Sequence, residues 1–364
     1  MVFKSISLTN FRSYSKATFD FDSRTTLIVG PNTSGKTNIL EAIYLLATGK
    51  PLRAVYDREL IQVGSDFAIV RGELVDSDEE ERKEIEVQII AADTPDNISH
   101  KRFKVNGVGK MLRAFVGQFN TVYFGPENIT LILGSPSKRR RYLDSLFSQI
   151  DPDYAVASLN YQKALRRRNK VLEAIGERMA ARDQLAFWDQ AILKEGSYIQ
   201  KRRTEFFDFA AVALKRLGQR LNGSNGSLSL RYRPSPLSSE RLFQYYQKEV
   251  SARSTLIGPH REDFSFLWRG YDLARFGSRG EQRSAVLALK LCELEFIENR
   301  RETRPLLLLD DVFSELDSAH RQRVLEMLGE YPTILTATDE HIVPDEYRTN
   351  FQVIKLTESS IGNP

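Results

Sequence analysis

Gly30–Thr37 reads GPNTSGKT: a glycine, four variable positions, then Gly-Lys-Thr, the spacing of a phosphate-binding loop. A chain that carries this loop must bring a strand to it and start a helix from it, which commits that part of the fold to an α/β layer. Both neighbours are present. Thr25–Val29 (TTLIV) is a short β-branched apolar run, and Asn38–Leu46 (NILEAIYLL) has helical character. Gly30 and Gly35 let the backbone curl so that successive N–H groups meet phosphate oxygens, with the positive end of the helix dipole behind them. Lys36 is placed to reach β- and γ-phosphates, and the Thr37 hydroxyl to ligate Mg²⁺. The candidate nucleotide-binding residues are therefore Gly30, Pro31, Asn32, Thr33, Ser34, Gly35, Lys36, Thr37 and Asn38. A plain glycine-rich turn is the alternative, and the flanking strand and helix argue against it.

With 364 residues, 41% of them hydrophobic and 27% charged, the chain can bury a sizeable core and divide into two domains. No apolar run approaches the roughly 18 residues of a membrane span, and the N-terminus lacks a signal-peptide pattern, so a cytoplasmic protein is expected. The single cysteine, Cys292, sits in an apolar helical pattern and is expected to be a buried thiol; no Cys-rich metal site can form within one chain. The net charge is only +4, but residues 126–253 hold 23 Lys and Arg against 13 Asp and Glu. A basic middle between mildly acidic flanks suggests a polyanionic partner, nucleic acid first. Solvated helix faces would give the same count.

Phe3–Leu8 and Ala17–Phe21 alternate as a half-buried hairpin does. Asp66–Asp76, Lys83–Ala91 and Lys101–Val105 continue an antiparallel β region, with an acidic tip near Glu79 and an Asn106-Gly107 turn. Asn120–Phe124 is another strand. After Pro126 the pattern becomes helical: Asp151-Pro152 is a helix start, and a second pattern runs from about Asp183 to Asn222, with Gly196 and Gly218 weakening its continuity. A Ser227–Tyr232 strand, a helix over Glu240–Ala252 and a helix from Ser284 to about Arg300 follow. The division read from this is 1–125, 126–253 and 254–364: a split α/β unit around a basic helical insert.

Pro305–Leu309 leads into Asp310-Asp311, an apolar parallel-type strand ending in two carboxylates. With a phosphate loop in the same chain, Asp310 would hold Mg²⁺ and Asp311 would orient or deprotonate the attacking water. Ser314–Asp317 (SELD) follows, and reads equally as the cap of a helix from Ser318 to Gly329. Gly277–Arg283 (GSRGEQR) offers Ser278, Gly280 and a helix N-terminus as a second anion site. It has no evident ligand in one chain unless it caps the nucleotide of another subunit; a plain glycine turn is the other reading.

Phosphate loop, SRGEQR, LLLLDD and SELD, in this order and split by a helical insert, resemble the ABC-type ATPase head of the SMC superfamily. Within it the chain most resembles the RecF family of bacterial recombination and gap-repair proteins. Ser7–Tyr14, Gly125-Pro126-Glu127, Pro136–Asp144, Gly258–Asp263 and Asp310–Asp317 carry the resemblance. It implies an α/β P-loop ATPase head with an antiparallel β subdomain and an inserted, mainly helical second lobe. It also implies ATP and Mg²⁺ as cofactors, weak DNA-dependent ATP hydrolysis, and an ATP-dependent homodimer. The expected partners are double-stranded DNA near single-strand/duplex junctions, RecR and RecO, and indirectly the recombinase RecA; no membrane is involved. Ser278 and Gly280 would contact the partner subunit's γ-phosphate. Lys138, Arg139, Arg140 and Arg141 become candidate DNA phosphate contacts, with at most two of Arg166, Arg167 and Arg168 on the same face. Relatives in the wider superfamily place Glu where Asp311 stands, which implies slow hydrolysis. Thr338 stands where a switch His is usual, with His341 three residues on, and Gln118 is the nearest candidate for the glutamine loop.

Other classes fit less well. A structural SMC-like clamp would need hundreds of heptad residues, a transporter ATPase would not carry a basic insert, and a fused nuclease would need a further acidic metal cluster.

Overall fold

The alternating run at the N-terminus forms β1 (Val2–Phe11), paired antiparallel with β2 (Tyr14–Asp20), from Ser5 opposite Asp20 to Phe11 opposite Tyr14. Asn10 and Arg12 turn this hairpin in the left-handed region, at φ 50° and 52°, which non-glycine residues rarely enter. The computed structural model describes the chain apart from residues 1, 22–23, 77–80, 92–98, 223–226, 316–320, 323, 327–328 and 358–364. The acidic run near Glu79, Asp317 of the SELD segment and much of the helix expected from Ser318 lie outside the described residues.

β3 (Thr25–Val29) feeds the phosphate loop and α1 (Lys36–Thr48) leaves it, bounded by left-handed Gly35 and Gly49. Ten of its thirteen residues are buried, so it is covered on nearly all sides, as a helix between two layers must be. β4 (Phe67–Val75), β5 (Arg82–Ile90), β6 (His100–Val105) and β7 (Val108–Lys110) extend the hairpin into a six-stranded antiparallel sheet, ordered β2-β1-β4-β5-β6-β7. Asn106 and Gly107, both at positive φ, make the last turn as the sequence predicts. α2 (Leu112–Phe115) then leads to β8 (Thr121–Phe124).

Two compact units divide the chain: residues 1–128 with 290–364, and residues 129–289. The second begins with α3 (Thr130–Leu133), α4 (Pro136–Ile150) and α5 (Pro152–Gly176). Asp151 caps α5 by accepting from the Tyr154 N–H at 3.0 Å, with Pro152 in the first turn. α6 (Ala186–Asn222) is one helix of 37 residues, about 55 Å long at roughly 1.5 Å per residue. Gly196 does not interrupt it. A Cβ there would stand 2.6 Å from Leu237 Cδ2 and 3.1 Å from Tyr161 Cε2, so this glycine serves close packing. β9 (Leu228–Arg233), α7 (Ser239–Ala252), β10 (Asp263–Trp268), β11 (Tyr271–Asp272), α8 (Leu273–Phe276) and α9 (Arg279–Arg301) follow. β10 pairs with β9 from Asp263 opposite Arg233 to Trp268 opposite Leu228. That pairing puts the stretch after residue 253, which sequence reading assigns to the ATPase head, into the second unit. Lys290 and the rest of α9 belong to the first.

Back in the first unit, β12 (Leu306–Asp310), β13 (Thr333–Ala337) and β14 (Gln352–Lys355) complete a five-stranded parallel sheet ordered β14-β3-β13-β12-β8. Every residue of β12 and β13 is buried, the pattern of parallel strands covered on both faces. One core joins Ile6 and Leu8 of β1, Ile39 and Ile43 of α1, Val70 of β4, Val87 of β5, Ile28 of β3 and Leu308 of β12. Because β13 lies between β3 and β12, the carboxyl ends of these three strands emerge side by side, where ligands of open parallel sheets bind.

The second unit depends on buried arginines. Arg203 of α6, 3% exposed, donates to Glu262 (2.7 Å), Asp144 (2.8 Å), the Pro259 carbonyl (2.8 Å) and the Tyr154 hydroxyl (3.1 Å). Glu262 is itself 1% exposed. Arg203→Leu should therefore strand a buried carboxylate and cost about 3–5 kcal/mol, whereas Arg203→Leu with Glu262→Gln should recover part of the loss. Denaturant unfolding followed by tryptophan fluorescence measures this, since Trp188 and Trp268 both lie in the second unit; a loss below about 1 kcal/mol, as for a surface pair, would contradict it.

Candidate nucleotide site

Between β3 and α1 the loop is shaped by backbone sterics. Thr33 and Gly35 take φ of 75° and 86°, and a Cβ on Gly35 would stand 2.5 Å from the Tyr14 hydroxyl. Gly30 is equally constrained, its added Cβ falling 2.6 Å from Ser34 Oγ and 3.0 Å from the Leu356 carbonyl. Pro31, Asn32 and Thr33 form the exposed lip, and Ser34 is buried beneath it. The Ser34 N–H bonds the Pro31 carbonyl at 3.2 Å, while its Oγ is buried without a hydrogen-bond partner. Lys36 Nζ donates across the loop to the carbonyls of Gly30 (2.6 Å) and Pro31 (2.8 Å). Burial pushes the Lys36 pKa down, against the opposing pull of Asp311 and Asp310.

The hairpin turn Asn10–Tyr14, read from sequence only as a turn and a point of resemblance, clamps this loop and helix. Arg12 makes a two-pronged ion pair with fully buried Glu41 of α1 (2.8 and 3.0 Å), geometry that fits a guanidinium to a carboxylate. The Tyr14 hydroxyl donates to the Ser34 carbonyl at 3.3 Å. Asn38, expected among the nucleotide ligands, gives its amide to Ser13 Oγ at 2.9 Å; it ties α1 to the hairpin.

Asp310, 4% exposed at the end of β12, gathers three hydroxyls. Thr37 and Thr336 each donate to its Oδ1 at 2.9 Å, and Tyr123 of β8 donates to its Oδ2 at 3.1 Å. Thr336 also accepts from the Asp311 N–H at 3.0 Å. Asp311 itself sits at φ 49°, a left-handed kink that turns the chain immediately after the strand. Burial, then the charges of Asp310 and Glu127, push the Tyr123 hydroxyl far above its ordinary pKa. Thr336 and Tyr123 were not candidates from sequence, because a hydroxyl on a strand carries no motif.

Among the described residues no cluster of three His, Cys, Asp or Glu could hold a metal alone. A Thr hydroxyl beside one carboxylate instead suits Mg²⁺, which keeps most of its own shell and arrives with phosphate oxygens. A curled loop, a buried ammonium, an orphaned Ser34 hydroxyl and the Thr37–Asp310 pair fit a nucleoside triphosphate with Mg²⁺.

Elsewhere the structure revises the expectations. α9 begins at Arg279, not Ser284, because Ser278 and Glu281 form a reciprocal cap: Glu281 N–H bonds Ser278 Oγ at 3.3 Å, and Glu281 Oε2 accepts from Ser278 N–H (2.8 Å) and Oγ (2.9 Å). Arg139 is not a surface cation. It is 8% exposed, paired doubly with Asp263 (2.6 and 3.1 Å) and bonded to the Leu131 and Gly134 carbonyls. Arg140 is half-buried on the Glu262 carbonyl, and Arg168 is buried against Asp189 and Glu249. Lys138, Arg141, Arg166 and Arg167 remain exposed. Gln118 gives its amide to the Ala114 carbonyl, four residues back, at 3.1 Å. β13 is followed by a further strand of the same sheet, β14 at its edge, and His341 lies exposed in the turn between them. Cys292 is fully buried, as expected. Among the described residues no helix is long and apolar enough to cross a membrane.

Similarity to known proteins agrees with this geometry. The family described as RecF/RecN/SMC N terminal domain matches residues 2–357. The DNA replication and repair protein RecF of Lachnoclostridium phytofermentans is 33% identical over 99% of both chains, and that of Moorella thermoacetica is 37% identical over 93% of this chain and 90% of its own. A solved structure of the recombination mediator protein RecF with ATP, in the RecFOR pathway, superposes with a TM-score of 0.86 at 33% identity, covering 98% of this chain and 95% of that one. A Pyrococcus furiosus Smc head shares the fold, with a TM-score of 0.55 at 18% identity. The chain belongs to the RecF family of DNA replication and repair proteins, within the SMC-like ATPases.

Proposed function

We propose that this protein is an ATP-driven DNA clamp of recombinational gap repair, acting in the cytoplasm. One observation carries the reading: the 2.9 Å bond from Thr37 to Asp310, which ties the phosphate loop to the carboxylate strand. In this reading Lys36 leaves the Gly30 and Pro31 carbonyls for the β- and γ-phosphates. Thr37 and Asp310 hold Mg²⁺, and Asp311 prepares the water. Mg²⁺ supplies neutralisation of the charge that develops on the phosphates. RecR and RecO, and through them RecA, are the partners the family points to.

Gly280 supports a composite site completed by a second copy of the chain. It is exposed in the first turn of α9, its φ is not positive, and a Cβ on it would meet nothing within 4 Å. Glycine is a poor helix former, and among the described residues none crowds this position. Close approach of an external group, the γ-phosphate on a partner subunit, gives the missing side chain a reason.

Duplex DNA has a suitable surface on α5. Lys163, Arg166, Arg167 and Lys170 are all exposed, and none of them makes an ion pair among the described residues. Their spacing of three, four and seven puts them on one face, opposite buried Tyr154, Tyr161, Arg168 and Leu172.

Lys36→Met should abolish ATP binding measured by calorimetry; unchanged affinity would remove the nucleotide assignment. Ser278→Arg should keep ATP binding by the monomer yet block dimerisation, whereas Asp311→Asn should prolong an ATP-dependent dimer. Sedimentation with ATP, ADP and Mg²⁺ distinguishes these, and an ATP-dependent dimer of Ser278→Arg would rule out the composite site. Arg166→Glu with Arg167→Glu should weaken duplex binding at least about tenfold on every sequence and lower the salt slope by roughly two; an unchanged slope in a salt titration would move the DNA elsewhere.

A further inference from the structure

Gly125-Pro126-Glu127 begins two residues after Tyr123, the residue whose hydroxyl reaches Asp310 Oδ2. β8 ends at Phe124, and the turn Pro126–Ile129 follows it. Reciprocal bonds of 3.0 Å fix this turn, from Gly125 N–H to Asn128 Oδ1 and from Asn128 N–H to the Gly125 carbonyl. It holds the Glu127 carboxylate facing the Tyr123 hydroxyl, with Oε1 buried and without a hydrogen-bond partner. Gly125 lies against that hydroxyl so closely that a Cβ would stand 2.2 Å from Tyr123 Oη. The ring has little freedom to escape, being 3% exposed and packed edge-on to Tyr44.

We propose that Tyr123 is a positioning residue of the nucleotide site: its hydroxyl holds the Asp310 carboxylate with Oδ1 turned to Thr37, and Glu127 competes for the same proton. A phenol donates one hydrogen bond at a time. Here it goes to Asp310 Oδ2 at 3.1 Å, while Glu127 Oε1 is buried without a hydrogen-bond partner. Thr37 and Thr336 both engage Oδ1, so Tyr123 is the group that fixes the carboxylate's second oxygen and hence its rotation. The absent side chain at residue 125 is what leaves room for this hydroxyl.

The inference rests on the nucleotide reading and is tested through Mg²⁺ alone. ATP affinity is measured by calorimetry across a Mg²⁺ titration and in EDTA, for wild type, Tyr123→Phe, Gly125→Ala and Glu127→Ala, with the denaturant midpoint of each variant recorded. Tyr123→Phe should raise the Mg²⁺ concentration for half-maximal binding roughly three- to tenfold, the scale of one lost hydrogen bond, and leave affinity in EDTA unchanged. Gly125→Ala should shift it the same way although the hydroxyl is still present. Glu127→Ala, which removes the competitor, should leave it at or below the wild-type value. Half-saturation within twofold of wild type for both Tyr123→Phe and Gly125→Ala would overturn the proposal. So would an affinity loss as large in EDTA as in Mg²⁺, which would mark a packing role. A wild type that binds no ATP even with Mg²⁺ would overturn instead the nucleotide reading beneath it.

Discussion

A carboxylate buried to 4% exposure at the end of a strand is costly unless its oxygens find donors, and Asp310 finds them on three other elements: α1, β13 and β8. That requirement links the first unit's parallel sheet to its loop. The strand order β3-β13-β12-β8 is what puts Thr37, Thr336 and Tyr123 within reach of one side chain. A different order would leave a desolvated charge at the strand end. The site and the sheet are in this sense one constraint: the residues that would receive Mg²⁺ are also the ones that make the strand end tolerable without it.

How far the sequence disclosed this depends on whether the information is local. The loop, its strand and its helix are contiguous, and Gly30, Gly35, Lys36 and Thr37 sit where the spacing puts them. Alternation gave the hairpin and the antiparallel strands, because a period of two survives without tertiary help. Tyr123 and Thr336 could not be read: each is one residue in an apolar strand, and its partner lies 187 or 26 positions away. The same holds for Arg12, whose pairing with Glu41 spans 29 positions. Gly196 shows the reverse error. Helix propensity weakened the case for one continuous helix, and packing against Leu237 and Tyr161 overrides a cost of about 1 kcal/mol.

Charge counting illustrates the limit most directly. Lys138–Arg141 and Arg166–Arg168 look alike on paper, yet the structure sorts each run by helical phase. Arg139 and Arg168 fall on buried faces and meet Asp263, Asp189 and Glu249; Arg141, Arg166 and Arg167 fall on exposed ones. A helix turns by about 100° per residue, so a run of three or four basic residues cannot all share one face. Buried Arg139, together with Arg203 of α6, holds the segment Gly258–Asp263, whose last two residues pair with Arg203 and Arg139. Residues that carry the family resemblance there also anchor the second unit.

Glu281 bears on how the proposed composite site would work. Its carboxylate already occupies the donors at Ser278, the N–H at 2.8 Å and the hydroxyl at 2.9 Å, so an incoming phosphate would meet one anion holding the place of another. Docking would then exchange charge-assisted bonds rather than add them, and the net gain would depend on the extra charge of the phosphate and on the helix dipole behind it. An exchange of this kind gives little affinity to a ligand of lower charge and makes association reversible. Residue 281 would thereby set how firmly two copies hold each other: a neutral side chain there would free the Ser278 donors and favour the dimer, at the expense of the cap that starts α9 at Arg279.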